Sequence, residues 1–267
     1  DGASRLLQTR PCESGGEVSL ATLPSFAMNL STWSYYTTNH PFTDVLKGGP
    51  FDARSGATLV KDAEGWVTQI NGGGYAEAWP FVNTPGDLYP TGTYRLEWEG
   101  IGTIQLYYQG SVQSPVSSGT SGSVNWRTYS VTAANSDAIK VQILAVDSVD
   151  PPKNIKLLAP WPDTLATDTF RKGFVDELAA SCKLIRFMDW GNTNNSTIEE
   201  WSERSTLTSQ EWTGATGIPY EAMIELCNLS GCDAWICIPH MASDDFVQQL
   251  AELIEAELDS PLKCWVE

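Results

Sequence analysis

The sequence predicts an antiparallel β-sandwich of jelly-roll type followed by an α/β unit, the first half of a (β/α)8 barrel. Three observations predict it. Residues from about 20 to 150 alternate apolar and polar with period two and are broken by Gly, Pro, Ser and Asp, with no helical stretch. From about residue 154 the pattern becomes strand, helix, strand, which builds parallel sheets. The last residues, Leu262-Lys263-Cys264-Trp265-Val266-Glu267, read as an apolar strand with no turn after it, an ending expected of half a larger sheet. The expected division is an extension over 1–19, the sandwich over 20–150 and the half-barrel over 151–267.

Each element has its own signal. Tyr94, Leu96 and Trp98 face one way and Arg95, Glu97 and Glu99 the other; after the Gly100-Ile101-Gly102 turn, Ile104, Leu106 and Tyr108 repeat the stripe. Ile139, Val141, Ile143 and Ala145 form another. The Gly72-Gly73-Gly74 run lacks a following Gly-Lys-Ser/Thr and reads as a turn, not a phosphate loop. In the second half, Ile155–Ala159 reads as the first buried strand, ended by Pro160. Asp168 is placed to cap a helix carrying Phe170, Phe174, Val175 and Leu178. Lys183–Met188 is the second strand, and a long polar loop leads to a helix with Tyr220, Met223, Ile224 and Cys227 at helical spacing. Asp233–Ile238 is the third strand. Ser243 caps a helix with Asp244 and Asp245 in its first turn, where negative charge suits the dipole, and Phe246, Leu250, Leu253 and Ile254 on its inner face. Leu262–Val266 is the fourth strand. A small open sheet would show the same order. It has no Gly-rich first turn for a dinucleotide, and polar, aromatic strand ends fit the C-terminal face of a barrel better.

Composition narrows the function. The 267 residues carry a net charge of −17 and no Lys/Arg cluster, which argues against nucleic acid or an anionic membrane as partner. No run of about 18 apolar residues exists to span a bilayer. Sequons at Asn29, Asn194, Asn195 and Asn228, 11 Trp and Ser/Thr/Gly-rich loops fit a secreted glycoprotein. The six Cys fit disulfides or buried thiols equally for Cys182, Cys237 and Cys264, while Cys12 in the polar N-terminal tail is the best candidate for a bridge. Cys227, Cys232 and Cys237 lack the paired spacing of a zinc site, and no metal or cofactor is expected.

Candidate binding residues cluster after the second strand, in Arg186-Phe187-Met188-Asp189-Trp190-Gly191-Asn192-Thr193-Asn194. Trp190 offers a flat apolar face to sugar C–H groups; Arg186, Asp189 and Asn192 match hydroxyls with donors and acceptors. His240 ends the third strand, where a barrel places functional groups; His40 reads as structural. Trp201, Glu203 and Arg204 form a third candidate set in the long loop, whose length suits a functional segment or an insertion; the favoured reading is an exposed loop with Trp201 as its anchor. Paired carboxylates for glycoside cleavage flank one bond. Asp189, Asp244 and Glu267 do not make a complete pair, and no catalytic residue is assigned.

Taken together, RFMDWGNTN at 186–194, YEAMIELC at 220–227, WICIPHMASDD at 235–245 and LKCWVE at 262–267 resemble a group of large secreted proteins. These join a β-sandwich to a (β/α)8 barrel of the clan A glycoside hydrolase type, often known only as carbohydrate- or cellulose-binding. The resemblance spans most of residues 20–267. It implies an acid/base Glu after an Asn at the end of the fourth strand and a nucleophile Glu ending the seventh. It matches Glu267 to the Glu just before the first of these, Arg186 to the strand-two Arg that bonds the nucleophile, and His240 to a residue lining the cleft. On this reading the chain is catalytically incomplete as given, and a retaining hydrolase if it continues.

Two functions compete. One is a secreted carbohydrate-active protein with a polysaccharide or oligosaccharide lying near Trp190 and His240. The other is a non-catalytic structural subunit of an extracellular coat or filament, self-assembled or with a partner covering the open barrel edge. A third reading makes the sandwich a sugar-binding module through Trp33, Tyr35 or Trp79, although the alternation of their neighbours puts most of these rings in the core.

Overall fold

The computed structural model describes residues 26–33, 40–81, 89–132, 138–161 and 169–267. Asp168, Tyr35, Cys12 and the extension over 1–19 lie outside the described residues.

Among the described residues β1 (Phe26–Asn29) comes first, and two antiparallel sheets follow. The first is made of β6 (Gly92–Glu99), β9 (Ser117–Ser121), β10 (Val124–Val131) and β12 (Lys153–Leu158), in the order β12-β6-β10-β9. The second, in the order β2-β5-β11-β7-β8, uses β2 (Asp52–Arg54), β5 (Tyr75–Phe81), β7 (Gly102–Tyr108), β8 (Ser111–Val112) and β11 (Ile139–Val146). A hairpin of β3 (Thr58–Lys61) and β4 (Val67–Asn71) flanks them. The stripes expected from period two are the inner faces: Tyr94, Leu96 and Trp98 meet Ile104, Leu106, Tyr108, Ile139, Val141 and Ile143 in one core.

The third sheet is parallel, in the order β1-β13-β14-β15, with β13 (Cys182–Arg186), β14 (Asp233–Ile236) and β15 (Cys264–Val266). Between its strands run α1 (Lys172–Ser181), α2 (Tyr220–Ser230) and α3 (Asp244–Glu257). Strand order follows chain order without reversal, and α2 packs between α1 and α3. Right-handed crossovers of this kind put all three helices on one face and leave the other face open.

Two strand assignments change. Of residues 155–159, expected as the first parallel strand, 155–158 belong to β12, which pairs antiparallel with β6. The reason is amphipathic: Ile155 and Leu157 are buried while Lys156 lies outward opposite Glu97. Only one face of such a strand wants a core, as at a sandwich edge. Its expected place is taken by β1, from the stretch assigned to the sandwich. The antiparallel sheets therefore form an excursion between the first parallel strand and α1, and the expected boundaries at 20 and 151 do not separate the sheets.

Local chemistry explains the helices. Phe174, Val175 and Leu178 are the buried face of α1. Phe170 precedes it and pairs with Phe42 in an isolated bridge. In α2, Tyr220, Met223, Ile224 and Cys227 are buried, and Gly231 ends the helix at φ 66°, a left-handed position that costs glycine nothing. Ser243 caps α3 by accepting from the Phe246 amide. Phe246 and Leu250 are buried there, but Leu253 and Ile254 are only half covered, because nothing among the described residues lies beyond β15.

The long loop over 187–219 stitches the parallel unit to the antiparallel sheets. Lys47 Nζ donates to Ser209 O (2.5 Å), Gln210 Nε2 to Gly49 O (3.1 Å) and Trp66 Nε1 to Thr208 O (3.0 Å). Trp201 stacks under the Arg204 guanidinium (3.9 Å), which also holds Glu221 of α2 at 2.7 and 3.2 Å. The expected anchoring role of Trp201 is what these contacts describe, with Arg204 as its partner. Gly217 has φ +68°, and a Cβ there would stand 2.5 Å from Trp190 O and 2.7 Å from the Gly191 carbonyl carbon. Gly217→Ala is expected to cost about 2–3 kcal/mol, from strain and backbone displacement together. A urea midpoint equal to wild type would show that the loop yields instead.

Candidate functional site

The open face of the parallel sheet carries the candidate site. Its strands pair in register so that Asn29, Arg186, Trp235 and Trp265 form one rung across β1, β13, β14 and β15. The intervening residues Ile185, Ala234 and Ile236 point into the helix-side core. Period-two geometry therefore sends this rung to the face the helices do not cover. Trp265 is 54% exposed.

One step further along the strands lies Glu267. Arg186 Nε and Nη2 both donate to Glu267 Oε2, at 2.9 and 2.5 Å. The guanidinium also lies 5.1 Å from the Trp235 ring centroid. The Cys237 thiol donates to the same carboxylate oxygen (3.4 Å). Arg186 holds the Glu267 carboxyl below the ordinary glutamate range, and Glu267 in turn raises Arg186. Burial first, and the Glu267 carboxylate second, push the Cys237 thiol up to about 11, so it stays protonated at neutral pH. At the first strand's end Asn29 Nδ2 donates to Asp189 Oδ2 (2.9 Å).

The expected site residues divide. Arg186 and Asp189 come together with Asn29 at the strand ends. Trp190 does not join them: it is 3% exposed, with its ring among Phe42, Phe170, Phe174 and Phe187 and its Nε1 donating to Ser31 O (3.2 Å). It has no free face for a sugar. Asn192, at φ 48°, turns its amide to the Gly214 and Ala215 carbonyls and ties down the long loop. Asp189 and Asn192 border a cavity of about 50 Å³ beneath Trp33 and Trp212, with room for water only. His240 is exposed in the turn after Pro239. His40 is buried.

Of the sequons, Asn194 and Asn195 are exposed in a turn. Asn228 is half-buried, with Nδ2 on Glu257 O and Oδ1 taking the Asp259 amide. Cys182, Cys227, Cys232, Cys237 and Cys264 are free thiols. Among the described residues no group of three or more His, Cys, Asp or Glu side chains is poised to hold a metal, and no helix is long and apolar enough to cross a membrane.

Trp235, Cys237 and Trp265 are the residues that reading the sequence missed. Their signal was present as alternation: Trp235 and Cys237 alternate with Ala234 and Ile236, and Trp265 and Glu267 with Cys264 and Val266. What hid them was the expectation that parallel strands are apolar on both faces.

No protein-family model matches the chain and no curated protein matches it. Two solved structures are slightly similar. A β-glucosidase from Kluyveromyces marxianus in complex with glucose aligns at TM-score 0.24 and 12% identity, over 61% of this chain and 18% of that one. The selenomethionine-labelled β-glucosidase of the same organism aligns at TM-score 0.26 and 11% identity, over 79% and 26%. The chain thus spans about a quarter or less of that enzyme's length, and the likeness is too slight to define a family.

Proposed function

We propose that this is a glycoside-hydrolase-like carbohydrate-binding protein of the extracellular space, its parallel unit being the first half of a (β/α)8 barrel. The observation that carries the reading is the rung Asn29–Arg186–Trp235–Trp265 at the C-terminal ends of the parallel strands, with Glu267 beside it. A barrel presents its ligand groups at those ends. Two indoles beside paired charged and amide groups match the apolar faces and hydroxyl edges of a sugar. Glu267, committed to Arg186, is a binding and orienting group. Among the described residues no separate pair of carboxylates flanks this face, and the chemistry proposed for it is binding.

Calorimetric titration with soluble gluco-oligosaccharides tests it. Trp265→Ala is expected to weaken binding by about 1–3 kcal/mol, the worth of an aromatic stacking partner. Because Trp265 is exposed, its removal leaves the core intact. Equal affinity in the variant would take this face out of the binding site.

A second reading, a subunit of an extracellular assembly, is favoured by one observation. Ile238, Val247, Leu250, Ile254, Cys264 and Val266 make an apolar strip along α3 and β15, with Val247 42% and Val266 58% exposed. Sedimentation that shows only monomer at high concentration would count against it.

A further inference from the structure

The outer face of the five-stranded antiparallel sheet carries a second ordered array. Antiparallel pairing aligns Asp52, Glu77, Gln142 and Gln105 across β2, β5, β11 and β7. Hydrogen bonds run along this rung. Arg54 Nε donates to Glu77 Oε1 (3.3 Å), Gln142 Nε2 to Glu77 Oε2 (2.7 Å) and Gln105 Nε2 to Gln142 Oε1 (2.7 Å). Glu77 is 3% exposed and Gln142 6%, so the array is built into the sheet and does not wave in solvent.

A second rung lies two residues along the strands, about 7 Å away. Lys140 pairs with Tyr107, and Tyr107 with Val112. The Lys140 ammonium sits 4.5 Å from the Trp79 ring centroid and 5.3 Å from that of Tyr107. Trp79 Nε1 donates to Glu77 Oε1 (2.5 Å), which fixes the indole's orientation. Val112 on the edge strand is 52% exposed and Gln105, Tyr107 and Lys140 are half-buried, so the face is reached from the β7–β8 side.

We propose that this face is a second carbohydrate surface, taking an uncharged glycan chain laid across the strands. Tyr107 supplies the apolar ring, while Trp79, with the Lys140 ammonium at 4.5 Å and the Arg54 guanidinium at 5.1 Å from its centroid, is the wall that holds those cations in place. The buried Glu77–Gln142 pair fixes the Gln105 amide, whose oxygen is turned outward beside Tyr107. Among the described residues neither the Lys140 ammonium nor the Gln105 amide oxygen has a hydrogen-bond partner within the protein, which leaves both for ligand hydroxyls. Charge selects a neutral occupant: Arg54 and Lys140 balance Asp52 and Glu77 locally, on a chain whose net charge is −17. A strongly acidic or basic polymer would leave part of that balance unmatched. By contrast β9, at the edge of the other sheet, shows only Ser-Ser-Gly-Thr-Ser to solvent.

Calorimetry of the full chain with laminarihexaose, cellohexaose, xylohexaose and mannohexaose is the test. At least one is expected to bind, and Gln105→Ala and Tyr107→Ala are each expected to weaken that binding about tenfold or more. Trp265→Ala, on the parallel sheet, is expected to leave this binding step in place, which separates the two surfaces. Gln105→Ala removes only an outward amide, and near-ultraviolet circular dichroism confirms that both variants are folded. Binding undiminished in both sandwich variants, or no binding by any of the four hexaoses, overturns the proposal.

Discussion

Lowering the pH from 7 to 4 is expected to cost the fold roughly 3 kcal/mol through His40 alone. His40 is 1% exposed and lies against Phe81 (4.6 Å between centroids), Trp33 (5.9 Å) and Trp161 (6.2 Å). Among the described residues neither ring nitrogen has a partner. Burial first, and the nearby Arg171 guanidinium second, hold its imidazole down to about 3 from an ordinary 6.5. The unfolded chain therefore takes a proton as pH falls below about 6.5, while the folded chain refuses it until about 3. Stability present above 6.5 is lost across that window. Asp44 works the other way. Buried at the same junction, it takes the Leu46 and Leu157 amides on one oxygen, and burial raises its pKa. Its charge costs the folded state stability at neutral pH, and acid relieves that cost. The clean measurement is a comparison of urea midpoints at pH 7, 5 and 4 for wild type and His40→Leu. The variant should lose a share of the acid sensitivity close to the figure above; parallel curves would show that His40 is not held neutral.

The junction around His40 also shows what the sequence could and could not disclose. Helix α2 was legible because Tyr220, Met223, Ile224 and Cys227 fix both its period and its inner face, and Gly231 stops it. The identities of β1 and β12 were not. Both are short, and a strand of four to six residues states which of its faces is buried but not which strand it pairs with or in what direction. The excursion between β1 and α1 is held together by Phe42 with Phe170 and by Arg171 Nη1 on His40 O (3.0 Å), contacts between residues far apart in the chain. No local pattern encodes them. The candidate site was half legible for the same reason. Arg186 and Asp189 stand at a strand end in any reading, but Glu267 joins them only when β14 and β15 are placed in register.

Replacing Trp190 with alanine is expected to cost about 3–5 kcal/mol of stability, and not to act as a specific loss of sugar binding. A tryptophan at a strand end looks the same in sequence whether it faces a ligand or a core. Here the outcome is set by geometry: Phe170 and Phe174 stack nearly parallel to it at 6.4 and 6.3 Å, with interplanar angles of 9° and 13°. Phe42 and Phe187 close around its other sides at 5.7 Å each. Its backbone carbonyl accepts from the Ile218 amide (2.8 Å), so the return of the long loop is tied to the same residue whose ring fills this core. Truncation would leave a cavity among aromatic rings that cannot collapse without moving the loop, and it would remove the Nε1 hydrogen bond to the Ser31 carbonyl. Trp190→Phe keeps most of the volume but loses that hydrogen bond, and is expected to cost about 1–2 kcal/mol. The ordering wild type, phenylalanine, alanine in urea midpoint is the signature of a core ring. A Trp190→Ala protein of native stability with weakened oligosaccharide affinity would instead return Trp190 to the binding surface, and would require the loop over 190–219 to swing away from α1.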